Sequence, residues 1–407
     1  MASLLADYEP IVGKSTVREL RVLAQHLRNT SVQHVNSTRV GGGVAEILAR
    51  MVPMLQDLGV QTRWDVIEGD PAFFDVTKKM HNALHGRGDD MSQEDIDAFW
   101  ATSRRNIEKA ELTGDIVFIH DPQPIALIEK KAESGRRWLW RCHIDVSAPR
   151  PGVWKFLEGF IPRYDAAVFS APQFARPLPI PQFQIAPSID PLSMKNRDLP
   201  PETVERVLAK YGIERDRPII TQISRFDRLK DPVGVIQAFR MVRRSMRCQL
   251  VLAGGGATDD PEGAAVLAEV QERADKDPDI NVLLLPPGSD MEINALQRAS
   301  DVVLQKSLAE GFGLTVSEAL WKARPMVASA VGGIPLQVEH QYTGLLVHTI
   351  EGAAYAIREL LNNRRYAMWL AENGREHVRR NFLLTRHLKD YLLLFLSVQR
   401  QEETVNL

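Results

Sequence analysis

Short β-branched or apolar runs alternate along this chain with amphipathic stretches of helical period, and no other feature restricts the fold as much. Runs closed by polar, Gly or Pro clusters stand at 115–120 (DIVFIH), 136–143 (RRWLWRCH), 166–170 (AAVFS) and 218–224 (PIITQIS). The series continues at 249–256 (QLVLAGGG), 281–286 (NVLLLP), 301–305 (DVVLQ) and 325–330 (PMVASA). Such runs predict strands buried on both faces of a parallel sheet. Between them, Val44, Ile47, Leu48, Met51, Val52 and Leu55 fall on one face of a helix that closes at Gly59. Strand and helix alternating through both halves, with right-handed crossovers, predict an α/β chain of two doubly wound, Rossmann-like domains. The length of 407 residues agrees, because a single core stops growing near about 250–300 residues.

The proline-rich segment 171–201 reads as the connection between domains, since prolines suit neither a helix interior nor a central strand. This places domain one at 1–190 and domain two at 191–375, with a helix over 383–400 packing back across the boundary. The charged insert at 85–95 (HGRGDDMSQED) predicts a solvated loop before a helix capped by Ser92. Fifty Lys and Arg against fifty-two Asp and Glu leave a net charge of -2, so no global field draws in nucleic acid or an anionic membrane. The opening MASLLADYEP has an acid where a signal peptide needs bases, and LLLFL near 394 is too short to span a bilayer, which predicts a cytoplasmic location. Cys142 and Cys248 lack the spacing of a disulfide framework or zinc knuckle and read as small buried hydrophobes.

The densest chemistry lies at 307–321 (SLAEGFGLTVSEALW), directly after the run DVVLQ and so at the carboxyl end of a parallel strand. Gly311 and Gly313 permit close backbone approach, and a helix beginning at Leu314 and Thr315 offers free N–H groups and its positive dipole end to a phosphate. Glu310 and Glu318 flank that position; acids beside a bound anion are suited to holding hydroxyls. The competing structural reading is a capping box, Thr315-x-x-Glu318, in which Glu318 serves only its own helix. At 223–232 (ISRFDRLKDP), Arg225 and Lys230 can converge on one pyrophosphate across a turn, or stand as solvated charges. The loop 252–263 (LAGGGATDDPEG) adds Gly254, either near a ligand or in a plain turn.

In the first half, Gly41, Gly42 and Gly43 stand between a short strand and the amphipathic helix, but without the later glycine of a dinucleotide fingerprint. Two strand ends carry polar groups, His120 with Asp121 and His143 with Asp145; a lone histidine in either place is more often a satisfied core or surface residue than a ligand. Metal-ligand spacings are absent, so no metal is expected.

These residues carry a resemblance. The spacing Glu310 to Glu318 in EGFGLTVSE, with Arg225, Lys230 and the AGGG at 253–256, resembles the second domain of the retaining GT-B glycosyltransferases of family four. HVNSTRVGGGVAEIL, WDVIEGDPAFFDVTKKMHNALHG, FIHDPQP and WRCHIDVSAP resemble the trehalose glycosyltransferring synthases, and the similarity spans most of the chain. The resemblance implies two Rossmann-like domains facing across a cleft. It also implies a nucleotide-diphosphate glucose (UDP- or ADP-glucose) as donor, glucose as acceptor, and trehalose plus nucleotide diphosphate as products. It makes Arg225 and Lys230 the diphosphate clamp, Glu318 the ribose ligand and Glu310 the partner of the donor sugar's hydroxyls. Leu314 and Thr315 would give backbone N–H groups to the distal phosphate, and Gly42 and Gly43 would approach the diphosphate from the other domain. His143, with Asp121, would lie on the acceptor side, and the base would lie near Leu285, where LPPGSD carries two prolines in place of the more usual glycine. Expected partners are therefore small molecules, namely a nucleotide sugar, glucose and trehalose, with no required cofactor, no nucleic acid and no membrane; a homodimer stays open. A retaining trehalose phosphorylase using inorganic phosphate, and a non-enzymatic sugar-nucleotide sensor, are the alternatives.

Overall fold

The computed structural model describes residues 4–39, 43–133, 135–255 and 261–399. The chain divides into two compact units, Met1–Ser188 together with Leu384–Leu407, and Ile189–Leu383. Each is a six-stranded, wholly parallel sheet covered by helices.

In the first unit the strands are β1 (Ser31–Asn36), β2 (Gln61–Val66), β3 (Ile116–His120), β4 (Arg137–Cys142), β5 (Ala166–Phe169) and β6 (Gln182–Gln184). Their order in the sheet is β2-β1-β3-β4-β5-β6, so the winding reverses between β1 and β3. The apolar runs form the centre: all five residues of β3 and all four of β5 are buried. The helix Gly43–Asp57 turns Ile47, Leu48, Met51, Val52 and Leu55 inward and is followed by Gly59 at φ 85. Ser92 opens the helix Gln93–Lys109 with a reciprocal capping box to Asp95. The helix Leu384–Gln399 buries His387, Tyr391 and Phe395, and lays Tyr391 and Phe395 against Phe118 of β3.

The proline-rich segment does more than connect. It first makes the turn Pro172–Phe174 and then β6, which adds to β5 in parallel register. Proline flanks an edge strand without loss, because an edge strand leaves half of its backbone groups outside the ladder.

In the second unit the strands are β7 (Ile219–Ile223), β8 (Gln249–Gly255), β9 (Ile280–Leu285), β10 (Val302–Gln305), β11 (Met326–Ser329) and β12 (Leu345–Val347). The order β12-β11-β10-β7-β8-β9 reverses between β7 and β10. Core residues lie on both faces: Ile220, Leu250, Leu252, Val302 and Leu304 pack with Phe239 and Ile357 on one side. Ile219, Ile223, Val251, Ala253 and Leu285 pack with Val207 and Leu296 on the other. Open α/β sheets bind ligands outside the carboxyl ends of the strands where the winding reverses, which here means the loops after β7 and β10. Among the described residues no helix is long and apolar enough to cross a membrane.

Candidate functional site

The loop after β7 is built by two aspartates. Asp227 accepts from the Leu229 amide and opens the single turn Arg228–Lys230. Asp231, in the left-handed region at φ 48, accepts from Gly234 and caps the helix Pro232–Arg243, whose proline occupies a position that needs no N–H. The Gln222 amide donates to the Lys230 carbonyl at 2.8 Å and fixes that residue's backbone. The loop after β10 is pinned to this one. Lys306 pairs with Asp231, and the Leu308 amide donates to the Leu229 carbonyl at 2.7 Å.

Across that junction the Lys230 ammonium meets the Glu310 carboxylate at 2.6 Å, both side chains largely buried. The Ser307 hydroxyl stands 3.3 Å from the same carboxylate oxygen. Two residues expected to touch different parts of a ligand are thus partnered with each other. Arg225 is half exposed, its guanidinium 3.6 Å from Asp227.

Gly313, at φ 84, is the N-cap of the helix Leu314–Trp321 and supplies no side-chain cap. The first-turn amides of this helix have no helical acceptors, as at any helix start. The capping box is not formed: Thr315 lies inside the helix and turns its hydroxyl to the Gln305 side-chain carbonyl at 3.3 Å. Glu318 is buried, 3.8 Å from the ammonium of Lys195, which is also 3.9 Å from Asp290.

The glycines take distinct parts. A Cβ on Gly254 would fall 1.7 Å from the Ser224 carbonyl oxygen, so this glycine lets the end of β8 press on the loop that carries Arg225. Gly311 accepts from the Gly333 amide at 3.2 Å. A Cβ on Gly332, at φ +51, would fall 1.6 Å from the Glu310 carbonyl, so the loop after β11 buttresses the Glu310 loop. Sequence reasoning missed Gly332, Gly333, Lys306 and Lys195; the pair of glycines one residue beyond the run PMVASA was the available signal for the first two. Leu285 turns its side chain into the core, which leaves only its backbone to meet a ligand. Gly43 is the exposed first residue of its helix. Gly41 and Gly42 lie outside the described residues.

In the first unit the two polar strand ends are one structure. Asp121, in the left-handed region at φ 67, accepts from the His143 amide at 2.8 Å, and its own amide donates to the Arg141 carbonyl at 2.7 Å. Burial pushes the Asp121 carboxyl up to about 6. The His143 ring reaches His120 at 3.2 Å and Arg141 at 3.1 Å, and His120 reaches His34 at 3.0 Å. Burial holds all three imidazoles below the usual histidine range, His34 at about 3, and Arg141 adds to the effect on His120 and His143. Asp145 lies apart from this group in its hydrogen bonding and accepts from the Ser147 amide. Cys142 and Cys248 are free and buried. Among the described residues no group of three or more His, Cys, Asp or Glu could hold a metal ion.

Comparison with known proteins agrees with this architecture. Residues 34–176 match the family Trehalose synthase, N-terminal domain, and residues 204–377 match Glycosyl transferases group 1. The trehalose synthase of Rubrobacter xylanophilus is 44% identical over 401 residues, covering 96% of each chain. A trehalose phosphorylase of Pleurotus pulmonarius is 30% identical over 430 residues, covering 92% of this chain and 58% of that one. The solved structure of the trehalose-6-phosphate synthase OtsA superposes with a TM-score of 0.74 over 92% of this chain and 100% of its own, at 14% identity, a likeness of fold. With two parallel-sheet units and near-full-length identity of this order, the chain belongs to the trehalose synthase family, its second unit a group 1 glycosyl transferase domain.

Proposed function

We propose that the protein transfers glucose from a nucleoside-diphosphate glucose to glucose, with retention, giving trehalose and the nucleoside diphosphate. The observation that carries this reading is the Lys230–Glu310 pair at the winding reversal of the second unit, beside a helix start opened by Gly313. A diphosphate sugar presents an anion for the cation and hydroxyls for the carboxylate, so one ligand replaces the pair's mutual contact on both sides. Arg225 reinforces the cation, and the Leu314 and Thr315 amides take the distal phosphate. Glu318, buried beside Lys195, suits the ribose diol, which can donate two hydrogen bonds to a carboxylate.

Negative charge grows on the diphosphate as its bond to the anomeric carbon breaks, so Lys230, Arg225 and the helix amides stabilise the transition state more than the ground state. The leaving phosphate oxygen takes the proton of the attacking glucose hydroxyl as that hydroxyl bonds to the anomeric carbon on the same face. Glu310, held by Lys230 and Ser307, acts on hydroxyls and not as a nucleophile. The acceptor glucose falls to the first unit, at His143 and Asp121.

The likeness to a trehalose phosphorylase makes phosphate the specific competitor for the diphosphate position. Calorimetric titration with UDP, ADP and inorganic phosphate tests the reading, using the native protein and Glu318→Ala. Nucleoside diphosphate is expected to bind the native protein and to bind Glu318→Ala at least about tenfold more weakly. Binding of phosphate alone, unaffected by Glu318→Ala, would favour the phosphorylase.

A further inference from the structure

One stretch of the proline-rich segment is fastened more firmly than a connection requires. In the second unit the backbone carbonyls of Met194, Asn196 and Arg197 all accept from side chains. Asn294 donates to Met194 at 2.9 Å and to Arg197 at 2.8 Å, and Arg298 donates to Asn196 at 3.2 Å and to Arg197 at 3.0 Å. The Lys322 ammonium donates to the Asn196 side-chain carbonyl at 2.9 Å. Asn196, Asn294 and Lys322 are buried, and taking such groups out of water costs free energy that only matched hydrogen bonds offset. Water at a surface would satisfy the carbonyls of a plain linker without that cost.

The anchors share helix faces with two acids. Asp290, Asn294 and Arg298 recur at intervals of four on the helix Asp290–Ala299, which follows β9. Glu318 and Lys322 are likewise four apart, at the end of the helix Leu314–Trp321. Residues four apart stand one above the other on a helix, so the stretch that Asn294 and Lys322 hold lies beside Asp290 and Glu318. Lys195, between the fastened carbonyls of Met194 and Asn196, brings its ammonium 3.8 Å from Glu318 and 3.9 Å from Asp290. The Lys195 and Glu318 side chains are 16% and 2% exposed and that of Asp290 is 49% exposed, so solvent screens the pairing with Asp290 far more than the pairing with Glu318. Lys322 also donates to the Glu318 backbone carbonyl at 3.1 Å, which ties the stretch to the backbone of the same acid.

We infer that Lys195 is a positioning residue that holds the Glu318 carboxylate as the acceptor of a ribose diol, and so makes the site prefer a ribonucleotide to its 2′-deoxy form. The inference rests on the proposed function, in which Glu318 meets the ribose. Lys195 acts through Glu318 and is separate from the phosphate clamp of Lys230 and Arg225. An ionised carboxylate in a buried site needs a counter-charge, and one that takes both hydroxyls of a diol needs a fixed orientation. An ammonium carried on fastened backbone supplies both. If the fastening served only the backbone of the stretch itself, the side chain at 195 would have no part in recognising the sugar, and its substitution would change stability alone.

The test is calorimetric titration of the full chain with UDP, 2′-deoxy-UDP and inorganic pyrophosphate, and with the adenosine pair in parallel. The native protein should bind the ribose form about tenfold or more tightly than the deoxy form. Lys195→Met, which keeps the length of the side chain and removes its charge, should bind the ribose form about five- to tenfold more weakly while holding the deoxy form and pyrophosphate within about twofold of native. Lys195→Gln should do the same, and serves if the apolar variant fails to fold. The double variant Lys195→Met/Glu318→Gln should bind no more weakly than Glu318→Gln alone, because the lysine acts through that carboxylate. Full ribose preference retained in the folded lysine variants, or an equal loss for all three ligands, would overturn the inference and leave the proposed function standing. A native protein that binds neither nucleoside diphosphate would overturn the proposed function, and this inference with it.

Discussion

Glu310→Gln should bind nucleoside diphosphate more tightly than the native protein and yet turn over more slowly. The carboxylate and the Lys230 ammonium are 2.6 Å apart and largely buried. At an effective dielectric near 20 their gross attraction is about 6 kcal/mol. Most of that is offset by desolvation, and glutamine can still accept a hydrogen bond, so the net competition removed is about 1–2 kcal/mol. Removing the carboxylate also removes its repulsion of the phosphates. UDP or ADP alone should therefore bind about 5- to 30-fold more tightly in calorimetry. Turnover should fall by about one to two orders of magnitude, because a charged hydrogen bond to the donor sugar is lost. The double variant Lys230→Met/Glu310→Gln should lose the gain in affinity, since no cation is left to release. Unchanged or weaker diphosphate binding in Glu310→Gln would refute the view that this ion pair is the resting form of the donor site.

Lys230→Ala should cost about 2–4 kcal/mol of transition-state stabilisation, two to three orders of magnitude in kcat/KM, with Arg225→Ala costing less because its side chain is half exposed; initial rates check both. Gly332→Ala places a methyl group against the Glu310 carbonyl at a left-handed φ, so it should cost about 1–3 kcal/mol of stability and impair turnover, seen in thermal melts and rate assays. The first unit should lose stability in mild acid. His34 has its ordinary value near 6.5 when unfolded and about 3 when folded, so the stability present above 6.5 is lost as pH falls toward 3, roughly 2 kcal/mol by pH 5. Asp121, raised to about 6, acts oppositely: it contributes below about 3.8, and that contribution is lost as pH rises through 6. His120, His143 and His387 act with His34, so the melting temperature should fall from pH 7.5 to pH 5, and an equal or higher value at pH 5 would contradict this.

Most central strands were legible because they are buried on both faces and read as largely apolar runs; β1 (Ser31–Asn36), with Gln33, His34 and Asn36, is the exception. The edges were not. Gln61–Val66 exposes alternate polar residues, Gln182–Gln184 sits among prolines, and Leu345–Val347 is only three residues long. The Ser92 cap was readable because its partner is local. The Thr315-x-x-Glu318 pattern left a capping box open as the competing reading, and the box does not form because Gly313 starts the helix two residues before Thr315. The Lys230–Glu310 pair joins positions eighty residues apart in sequence, and only the adjacency of β7 and β10 brings them together. His34, His120 and Arg141 could be read singly as ordinary polar residues; their shared face depends on strand register, which no local pattern encodes.

Product analysis tests the central claim most directly. The protein is incubated with UDP-glucose or ADP-glucose and glucose, and the sugar and nucleotide released are identified by NMR and chromatography. The account predicts trehalose and nucleoside diphosphate in equal amounts. Trehalose formed only from glucose 1-phosphate and glucose, with phosphate released and no use of either nucleotide sugar, would contradict it.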